Sequence, residues 1–557
     1  MGEINVCSNH FFEAGFIDLD MNYKQEDYSM LIKNIEDSVT LNVWKNDIGI
    51  LRLAIFAKDM DLENMIIKVS DFLSSDMEIS GTNVKISVIN ETSAFSLGKG
   101  NGDGTSDRKK VFDVVTNYET TNVRKDRFSL VLMEVEIPKD VEAGIYNGKV
   151  SVYIEDKPEE VIFLELNLDV KELELNKDIK GFDIELWQYP YSSAEYYGLE
   201  PFSTKHLEVL KDIMRIYRYM GSKAITATIV EEAWGGQTYT KNKIAYPSMV
   251  RWDKKENGYV YDYSDLDAWI KFNETMGEVE KIALYSISPW NNSIGIHENG
   301  EVKFYKFVLK KESDKKIWFD FLTSLANHLE ANGWLDKSFI AIDEQGFSEE
   351  AFDLVESIKT KNNNGFKISA AMDHFTEKKE LAMRVDDLTI GANAATSEQE
   401  DFSSMVDLRD KSGLKTTIYS CTGHAPGQFT LSNPVEAYWI IVDAWKRGAK
   451  GFLRWALDAW VDNPLIDTSH KMFEPGDCFL VYPDYEKMGA LRSFRLVRMQ
   501  EAIRDIQKAM ILDEMGANRR VNDFSLTTRN NEKNLYLSVF ETLKASMDVK
   551  LFKESLT

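Results

Sequence analysis

The sequence Phe-Ile-Ala-Ile-Asp-Glu at residues 339–344 indicates both a fold and a site. Its four apolar residues, one aromatic and two β-branched, predict a strand that is buried on both faces. The strand runs directly into Asp343 and Glu344, and desolvating two like charges is unfavourable. A barrel strand that ends in such a pair is typical of a catalytic site. The alternative is a strand end whose acids face solvent or cap the next helix, where acidic residues are common.

Predicted strands and helices alternate on both sides of this stretch, from about residue 178 onward. Amphipathic helices are predicted from Lys205 to Tyr219 and from Ile317 to Asn332, since apolar side chains recur there at helical spacing. Eight strands that alternate with helices predict a (β/α)₈ barrel, or TIM barrel, which needs ~250 residues or more. We expect this barrel over residues 178–510. Its predicted strands lie at residues 181–187, 224–230, 282–287, 339–344, 367–372, 387–392, 415–420 and 451–456.

The two ends of the chain have a different pattern. Over residues 1–177, short strands such as Gly49–Phe56 and Phe128–Val135 are separated by polar turns, which is typical of a β-sandwich. Residues 511–557 contain the apolar run Leu535–Phe540, which predicts a short C-terminal β extension. The expected fold class is therefore an α/β multidomain protein with a β-sandwich, a TIM barrel and a β extension.

Composition and charge limit the partners of this 557-residue chain. Hydrophobic residues make up 43% and charged residues 28%, as in globular proteins. The net charge of -25 disfavours nucleic acid and anionic membranes as partners. The 3 Cys are too few for a disulfide framework and fit a reducing compartment. Because the sequence predicts neither a signal peptide nor an apolar run of ~20 residues, we expect a cytoplasmic protein.

Aromatic, acidic and amide side chains follow the predicted barrel strands. The carboxyl ends of all barrel strands meet at one face, so these side chains are expected to surround one site. Rings can stack on sugars while acids and amides bind hydroxyls, and no basic patch converges there. A neutral polyol therefore suits the site better than a phosphorylated ligand. The strand-end residues include Glu185, Trp187, Glu231, Trp234, Trp290, Asp343, Glu344, Asp373, His374, Asn393, Tyr419, His424, Arg454, Trp455 and Asp458.

Two other chemistries find little support in the sequence. His374 and His424 are isolated, and neither HxH nor HExxH spacing occurs, so no metal site is predicted. Cys421 lies three residues from His424, but that spacing on a loop does not make a catalytic triad. Neither a GxSxG motif nor a phosphate-binding glycine loop is present.

Several motifs, taken in chain order, resemble one known family. Asp343-Glu344 at the end of the fourth predicted strand resembles the catalytic pair of glycoside hydrolase family 123, the β-N-acetylgalactosaminidases. The adjacent acids alone are weak evidence, but the similarity extends from about Val39 to Asp505. The other similar motifs are IP at 137–138, GIYNG at 144–148, LWQYP at 186–190, RWALDAW at 454–460, GDCFLVYP at 476–483 and SFRL at 493–496.

The resemblance implies a retaining, exo-acting hydrolase that removes terminal β-linked N-acetylgalactosamine (GalNAc) from glycans and glycosphingolipid oligosaccharides, without a cofactor. It also implies substrate assistance, in which the substrate's own 2-acetamido oxygen attacks C1 and gives an oxazolinium-like intermediate. Asp343 would orient the acetamido N–H and stabilise the positive charge. Glu344 would act first as general acid and then as general base. The neighbouring charge of Asp343 is expected to raise the pKa of Glu344, as that role requires.

Nine further residues are candidates for binding the sugar. Each also has a purely structural interpretation, because a Trp at a strand end can be packing and Arg454 with Asp458 can be an ordinary ion pair. The candidates are Trp187 and Trp455 for the ring face, Tyr419 and Tyr482 for the acetamido carbonyl, Glu185, Arg454 and Asp458 for hydroxyls, and Asp373 and His374 after the fifth strand.

Two alternatives remain open from the residues. A two-carboxylate β-glycosidase of other specificity would hold its acids ~5–5.5 Å apart and use one as nucleophile. A non-catalytic carbohydrate-binding protein would use the β-sandwich as its binding module and would have no need of Glu344. The residues do not distinguish galacto from gluco configuration. We expect a monomer whose partner is an oligosaccharide with terminal β-GalNAc, with no nucleic acid or membrane partner.

Overall fold

The computed structural model describes residues 11–75, 77–97, 108–176, 178–238, 245–420, 425–516 and 536–557. Cys421, His424 and Leu535, which the sequence predictions include, lie outside the described residues. Within these ranges, no helix combines the length and the hydropathy that crossing a bilayer requires.

Two sheets form the N-terminal part of the molecule and pack over one apolar core that includes Leu53, Val131, Val150 and Leu166. The predicted strand-rich N-terminal domain is thereby confirmed. The first sheet has the spatial order Phe12–Ile17, Ile48–Ala57, Phe128–Glu136, Val84–Ala94, Lys109–Val115, Gly489–Ser493 and Val481–Asp484. The second has the order Ser38–Lys45, Lys157–Glu174, Gly144–Ile154, Leu62–Val69 and Thr120–Val123, with Phe72–Leu73 and Glu78–Ile79 beside it.

Eight parallel strands form the predicted barrel, which is confirmed. From the second strand to the eighth, each strand pairs with the next one along the chain, and the eighth strand pairs with the first. Between the first and second strands the described chain has no ladder, but Thr226 N donates to Gln188 Oε1 across that seam at 2.9 Å. The first to eighth barrel strands are Asp183–Leu186, Ala224–Thr228, Lys281–Tyr285, Ser338–Asp343, Lys367–Met372, Asp387–Gly391, Lys415–Tyr419 and Gly451–Arg454.

Helices surround the barrel and bury their apolar faces against it. Thr204–Arg218 is an example: Ser203 caps its N-terminus by accepting from His206 N, and Leu210, Ile213 and Tyr217 are buried. A four-stranded sheet, Arg251–Lys255, Gly258–Asp262, Ser293–Glu298 and Glu301–Lys306, is inserted around the third barrel strand. The remaining helices near the barrel are Pro190–Tyr197, Ser264–Met276, Glu312–Ala331, Glu349–Ser357, Lys379–Ala382, Ala392–Ser397, Gln399–Lys411, Pro434–Lys446 and Phe494–Glu514; the short helix Tyr28–Leu31 lies in the N-terminal part.

A buried charge cluster occupies the base of the barrel, and Glu185 belongs to it. Lys281 Nζ contacts Glu185 Oε2 at 2.7 Å and Asp387 Oδ2 at 2.9 Å, and Lys415 Nζ lies 3.2 Å from Asp387 Oδ2. Lys281, Asp387 and Lys415 are the first residues of their strands, so the cluster is at the end opposite the strand carboxyl termini. The prediction that Glu185 binds sugar hydroxyls is therefore wrong in position, because the side chain turns down toward Lys281.

The hairpin of Val481–Asp484 and Gly489–Ser493 joins the barrel to the N-terminal part. Its second strand pairs with Lys109–Val115 and so extends the first sheet. At this junction Tyr482 is fully buried and its hydroxyl donates to Asp113 Oδ2 at 2.5 Å, while Arg495 Nε donates to the same oxygen at 3.0 Å. The predicted contact of Tyr482 with the substrate is therefore wrong, because its hydroxyl is used between the two parts of the chain.

The described C-terminal residues form a helix, Val539–Ser555, and the predicted β extension is wrong there. Ser538 and Glu541 form a capping box that starts the helix inside the run interpreted as a strand. Ala545, Val549 and Phe552 are buried at helical spacing, and Trp44 Nε1 donates to Leu556 O at 2.8 Å. The helix is therefore attached to both the barrel and the N-terminal sheets.

Candidate active site

A cleft of ≈ 230 Å³ lies at the carboxyl ends of the barrel strands, where the sequence predicted a site. Asp343 and Glu344 are the only carboxylates among its described lining residues. Four tryptophans surround them, so the cleft combines two acids with mostly apolar walls. The lining residues are Trp187, Trp234, Gln237, Trp290, Asp343, Glu344, Ala371, Tyr419, Ser420, Leu453, Trp455, Met472 and Phe473.

Asp343 is the last residue of the fourth barrel strand, and its carboxylate is held by Trp290. The indole Nε1 of Trp290, in the loop after the third strand, donates to Asp343 Oδ2 at 2.8 Å. Burial, and then the charge of Glu344, raise the pKa of Asp343 to about 7, while the Trp290 hydrogen bond acts in the opposite direction. Near neutral pH this carboxyl can thus be ionised or protonated.

The backbone turns sharply at Glu344, which brings both acids into the cleft. Glu344 has a φ of 51°, in the left-handed region, and its N–H donates to Ala371 O at 3.2 Å. Successive side chains on a regular strand point to opposite faces, so adjacent acids can share a cleft only where the strand breaks. The turn begins at Glu344 and continues to Gly346, which has a φ of 80° and where a Cβ would lie 2.0 Å from Ser288 Oγ.

Tyr419 and Glu344 are hydrogen-bonded across the cleft, the phenol donating to Glu344 Oε1. Burial raises the pKa of Glu344 above its ordinary value, Asp373 adds to the increase, and the bond from Tyr419 opposes it. The upward shift in the pKa of Glu344 agrees with the expectation from the sequence, but its cause differs from the expected one. Burial and Asp373 raise the pKa of Glu344, whereas the mutual repulsion of the adjacent pair raises the pKa of Asp343.

The aromatic walls come from several loops. The rings of Trp187 and Trp234 are stacked, with their centroids 5.8 Å apart. Both indole Nε1 atoms are buried without a hydrogen-bond partner in the described part of the chain. Trp455, after the eighth strand, packs against Phe473 with ring centroids 5.1 Å apart. The positions of Trp187, Tyr419 and Trp455 in the cleft agree with the sequence predictions, and their roles toward substrate stay predictions.

Asp373 and His374 lie at the rim and do not line the cavity. Both are exposed, and their charges affect the pKa of Glu344 in opposite directions. His374 Nδ1 is 3.9 Å from Glu398 Oε1. Their predicted contact with substrate therefore stays a prediction for a sugar that extends beyond the cavity.

Arg454 and Asp458 are fully buried behind the cleft, and the structure does not pair them. Arg454 donates to Ser420 Oγ at 3.1 Å and forms an ion pair with Asp477. Asp458 Oδ1 accepts from Tyr189 N at 2.7 Å, and burial raises the pKa of this carboxyl to about 7. The prediction that they bind sugar hydroxyls is wrong in position, because both side chains join loops to one another beneath the cleft.

Gln237, Met472 and Phe473 are cleft residues that the sequence did not single out. Gln237 lies in the long loop after the second strand, and Met472 and Phe473 lie between the eighth strand and the hairpin. No motif or periodicity marks them. Trp234 and Trp290 were recognisable as strand-end aromatics, but the hydrogen bond from Trp290 to Asp343 was not. Among the described residues, no group of three or more His, Cys, Asp or Glu side chains is arranged to hold a metal ion.

A parallel eight-stranded barrel with two carboxylates in an aromatic cleft at its strand ends defines the class of barrel glycoside hydrolases. Residues 187–512 match the model of the glycoside hydrolase 123 catalytic domain, and residues 16–154 match that of the glycoside hydrolase 123 N-terminal domain. The chain belongs to glycoside hydrolase family 123.

A solved structure agrees with this assignment. A family 123 glycoside hydrolase from Clostridium perfringens, described for glycolipid glycan hydrolysis, is 30% identical, covers 98% of this chain and 97% of its own, and superposes with a TM-score of 0.89. A Bacteroides ovatus GH5 xyloglucanase, which is 9% identical and covers 84% of this chain and 98% of its own, is much less similar, with a TM-score of 0.33. No curated protein matches the sequence.

Proposed function

We propose that this family 123 hydrolase is a retaining, exo-acting β-N-acetylgalactosaminidase that uses substrate assistance. The observation that carries the proposal is the pairing of Asp343 and Glu344 in one cleft with no third carboxylate among the described lining residues. An aromatic cavity of ≈ 230 Å³ suits a single terminal sugar, which supports exo action.

The two acids take different parts in the proposed reaction. The acetamido oxygen of the substrate attacks C1, the bond from C1 to the leaving oxygen breaks, and Glu344 gives its proton to that oxygen. Asp343, ionised and held by Trp290, accepts the acetamido N–H and stabilises the oxazolinium charge. Glu344 then takes a proton from water as the water oxygen attacks C1. The bond from C1 to the acetamido oxygen breaks in the same step and restores the acetamido group, so two inversions give retention.

The raised pKa of Glu344 supports its role as the acid, because a protonated carboxyl must be available near neutral pH. The repulsion within the pair disfavours the state in which both acids are ionised, so the pair retains one proton. The proposed reaction requires that proton on Glu344 and a negative charge on Asp343. The proposed substrates are glycans with terminal β-GalNAc, including those of glycolipids. The glycolipid class is supported by the description of the Clostridium perfringens relative.

A leaving-group series tests the assignment of roles. Glu344→Gln removes the proton donor and keeps the shape, so its loss in kcat/KM should grow steeply as the leaving group becomes more basic. The loss should reach ~10²–10⁴-fold for a natural oligosaccharide and be small for dinitrophenolate. Asp343→Asn weakens cyclisation itself, so its loss should be similar with every leaving group. A steep dependence of the loss on leaving-group basicity for Asp343→Asn, with a flat one for Glu344→Gln, would show that the two roles are reversed.

A thiazoline derivative of GalNAc provides a second test, because it mimics the cyclised intermediate. It should inhibit far more strongly than free GalNAc, as species that resemble the transition state do. Equal inhibition by the two compounds would favour the two-carboxylate alternative.

A further inference from the structure

A second cavity lies outside the catalytic cleft, where the hairpin Val481–Asp484 and Gly489–Ser493 meets the first sheet. This groove has a volume of ≈ 510 Å³, within the range of small-ligand sites and larger than the cleft. Val114 and Leu491 are buried apolar residues in its lining, and Asn90 and Asn117 are exposed lining residues on the sheet side.

Two exposed tyrosines give the groove its chemical character. Tyr118 of the sheet side is 46% exposed, and Tyr485 of the hairpin turn is 57% exposed. The hydroxyl of Tyr118 donates to Glu486, which joins the two sides of the groove. Exposed aromatic faces beside amides are the surface that a sugar requires, since the apolar ring face stacks while the hydroxyls find hydrogen-bond partners.

The turn that carries Tyr485 is held firmly. Asp484 Oδ1 accepts from Glu486 N at 3.0 Å and Lys487 N at 3.3 Å. The hydroxyl of Tyr197 lies 2.9 Å from the carbonyl oxygens of both Asp484 and Gly489, and the rings of Tyr196 and Tyr485 are 5.5 Å apart. The aromatic surface is therefore preformed, which reduces the entropic cost of binding.

The charges of the groove select against anions. Glu91, Asp484 and Glu486 are in the lining against the single cation Lys487, so a phosphate or sialylated group would meet net negative charge. A short stretch of chain contributes residues to both the cleft and the groove. Trp455 lines the cleft, and Leu465, ten residues further on, lines the groove.

We infer that this groove is a second carbohydrate-binding site, which takes a neutral oligosaccharide on Tyr118 and Tyr485. Its occupant is a sugar chain of the surface on which the substrate is displayed, and to that extent the inference rests on the proposed function. Binding at the groove would hold the enzyme near clustered glycans while the cleft removes terminal residues, and it would contribute through effective concentration rather than through the chemical step.

Crystals of Glu344→Gln soaked in a neutral tetrasaccharide with terminal β-GalNAc test the site directly. Sugar should be found against Tyr485 in the groove, and it should be absent there in the Tyr118→Ala/Tyr485→Ala background. An empty groove at saturating sugar, or a second protein copy seated in it, overturns the inference. This readout needs no turnover, so it can succeed even where the proposed activity fails.

Kinetics provide the second readout. Tyr118→Ala/Tyr485→Ala should lower hydrolysis of a neutral glycolipid in phosphatidylcholine vesicles by about tenfold or more. Turnover of a soluble aryl β-N-acetylgalactosaminide should stay within about twofold. Phe163→Ala is the matched control, because Phe163 is 62% exposed on the second sheet. Equal rates of the double variant and wild type on vesicles contradict the inference. If the wild-type enzyme does not hydrolyse the aryl glycoside, the proposed function is contradicted instead.

Discussion

Trp290 donates its indole N–H to Asp343 across 2.8 Å and so joins the loop after the third barrel strand to the end of the fourth. A single polar contact in an aromatic wall thereby fixes one carboxylate of an adjacent pair. Because the donor favours the ionised acid, it offsets part of the increase in the pKa of Asp343 that burial and Glu344 cause.

Trp290→Phe tests this contact. Without the donor, the pKa of Asp343 should rise above about 7, so a smaller fraction is ionised at any pH near neutrality. If ionised Asp343 stabilises the intermediate, the acidic limb of kcat/KM should move to higher pH, and the loss at pH 6 should exceed the loss at pH 8. We expect a loss of about tenfold or more at neutral pH. Trp445→Phe, on the helix Pro434–Lys446, is the control and should leave the profile unchanged.

Tyr419→Phe removes the donor to Glu344. The pKa of Glu344 should rise further, because the hydrogen bond from Tyr419 lowers it. Since Glu344 acts as an acid, its protonated form should persist to higher pH, and the alkaline limb of kcat/KM should move upward. The pH profile of the variant measures this directly. An unchanged or lower alkaline limb would show that Glu344 is not the group that titrates there.

Gly346→Ala tests the turn that places the pair. Its φ of 80° is strained for alanine, and the added Cβ would lie 2.0 Å from Ser288 Oγ, so we expect a loss of roughly 1–3 kcal/mol in unfolding free energy and a lower kcat. Gly333→Ala is a matched control, because Gly333 has a φ of 74° but nothing within 4 Å of the added Cβ. It should lose stability without losing kcat. Equal kcat values for the two variants would count against the positioning role of the turn.

The base of the barrel provides a stability prediction. Burial alone raises the pKa of Asp387, but Lys281 and Lys415 outweigh it and hold the pKa below the ordinary value. The stabilising effect of this carboxylate is therefore present above its ordinary pKa of about 4 and is lost as the pH falls through the depressed value. Asp387→Asn leaves the buried Lys281 and the half-buried Lys415 under-compensated and should cost ~3–5 kcal/mol at pH 7.

Denaturant unfolding at two pH values measures the effect. The difference between Asp387→Asn and wild type should be larger at pH 7 than at pH 3. Asp353→Asn removes the partner of Arg384 in a surface pair and should cost ~1 kcal/mol or less. Equal costs for the two substitutions at pH 7 would show that the barrel-base cluster is not stabilising.

Much of the fold followed from local patterns. The barrel strands are buried apolar runs that are bounded at their ends by polar or glycine residues, so their positions could be predicted within a few residues. The C-terminal helix could not, because the run Leu535–Phe540 has strand-like composition and only the capping box of Ser538 and Glu541 marks a helix start. The pairing of the hairpin with the first sheet could not be predicted either, because pairing between strands so far apart in sequence leaves no local signal.

The site was predictable where position along a strand decides which face a side chain reaches. Asp343, Glu344, Trp187, Tyr419 and Trp455 line the cleft at the strand ends. Glu185 was misplaced because it lies one residue before the end of the first strand and turns toward Lys281. Arg454 and Tyr482 were misplaced because their partners, Asp477 and Asp113, are known only once the chain has folded.

The central claim is that the substrate's acetamido group supplies the nucleophile. The most direct measurement compares kcat/KM for a 4-nitrophenyl β-N-acetylgalactosaminide with that for the matching 4-nitrophenyl β-galactoside, which differ only at C2. The account predicts efficient cleavage of the first and no cleavage of the second above the uncatalysed rate. Comparable values for the two substrates would contradict substrate assistance and would assign Asp343 to direct attack on C1.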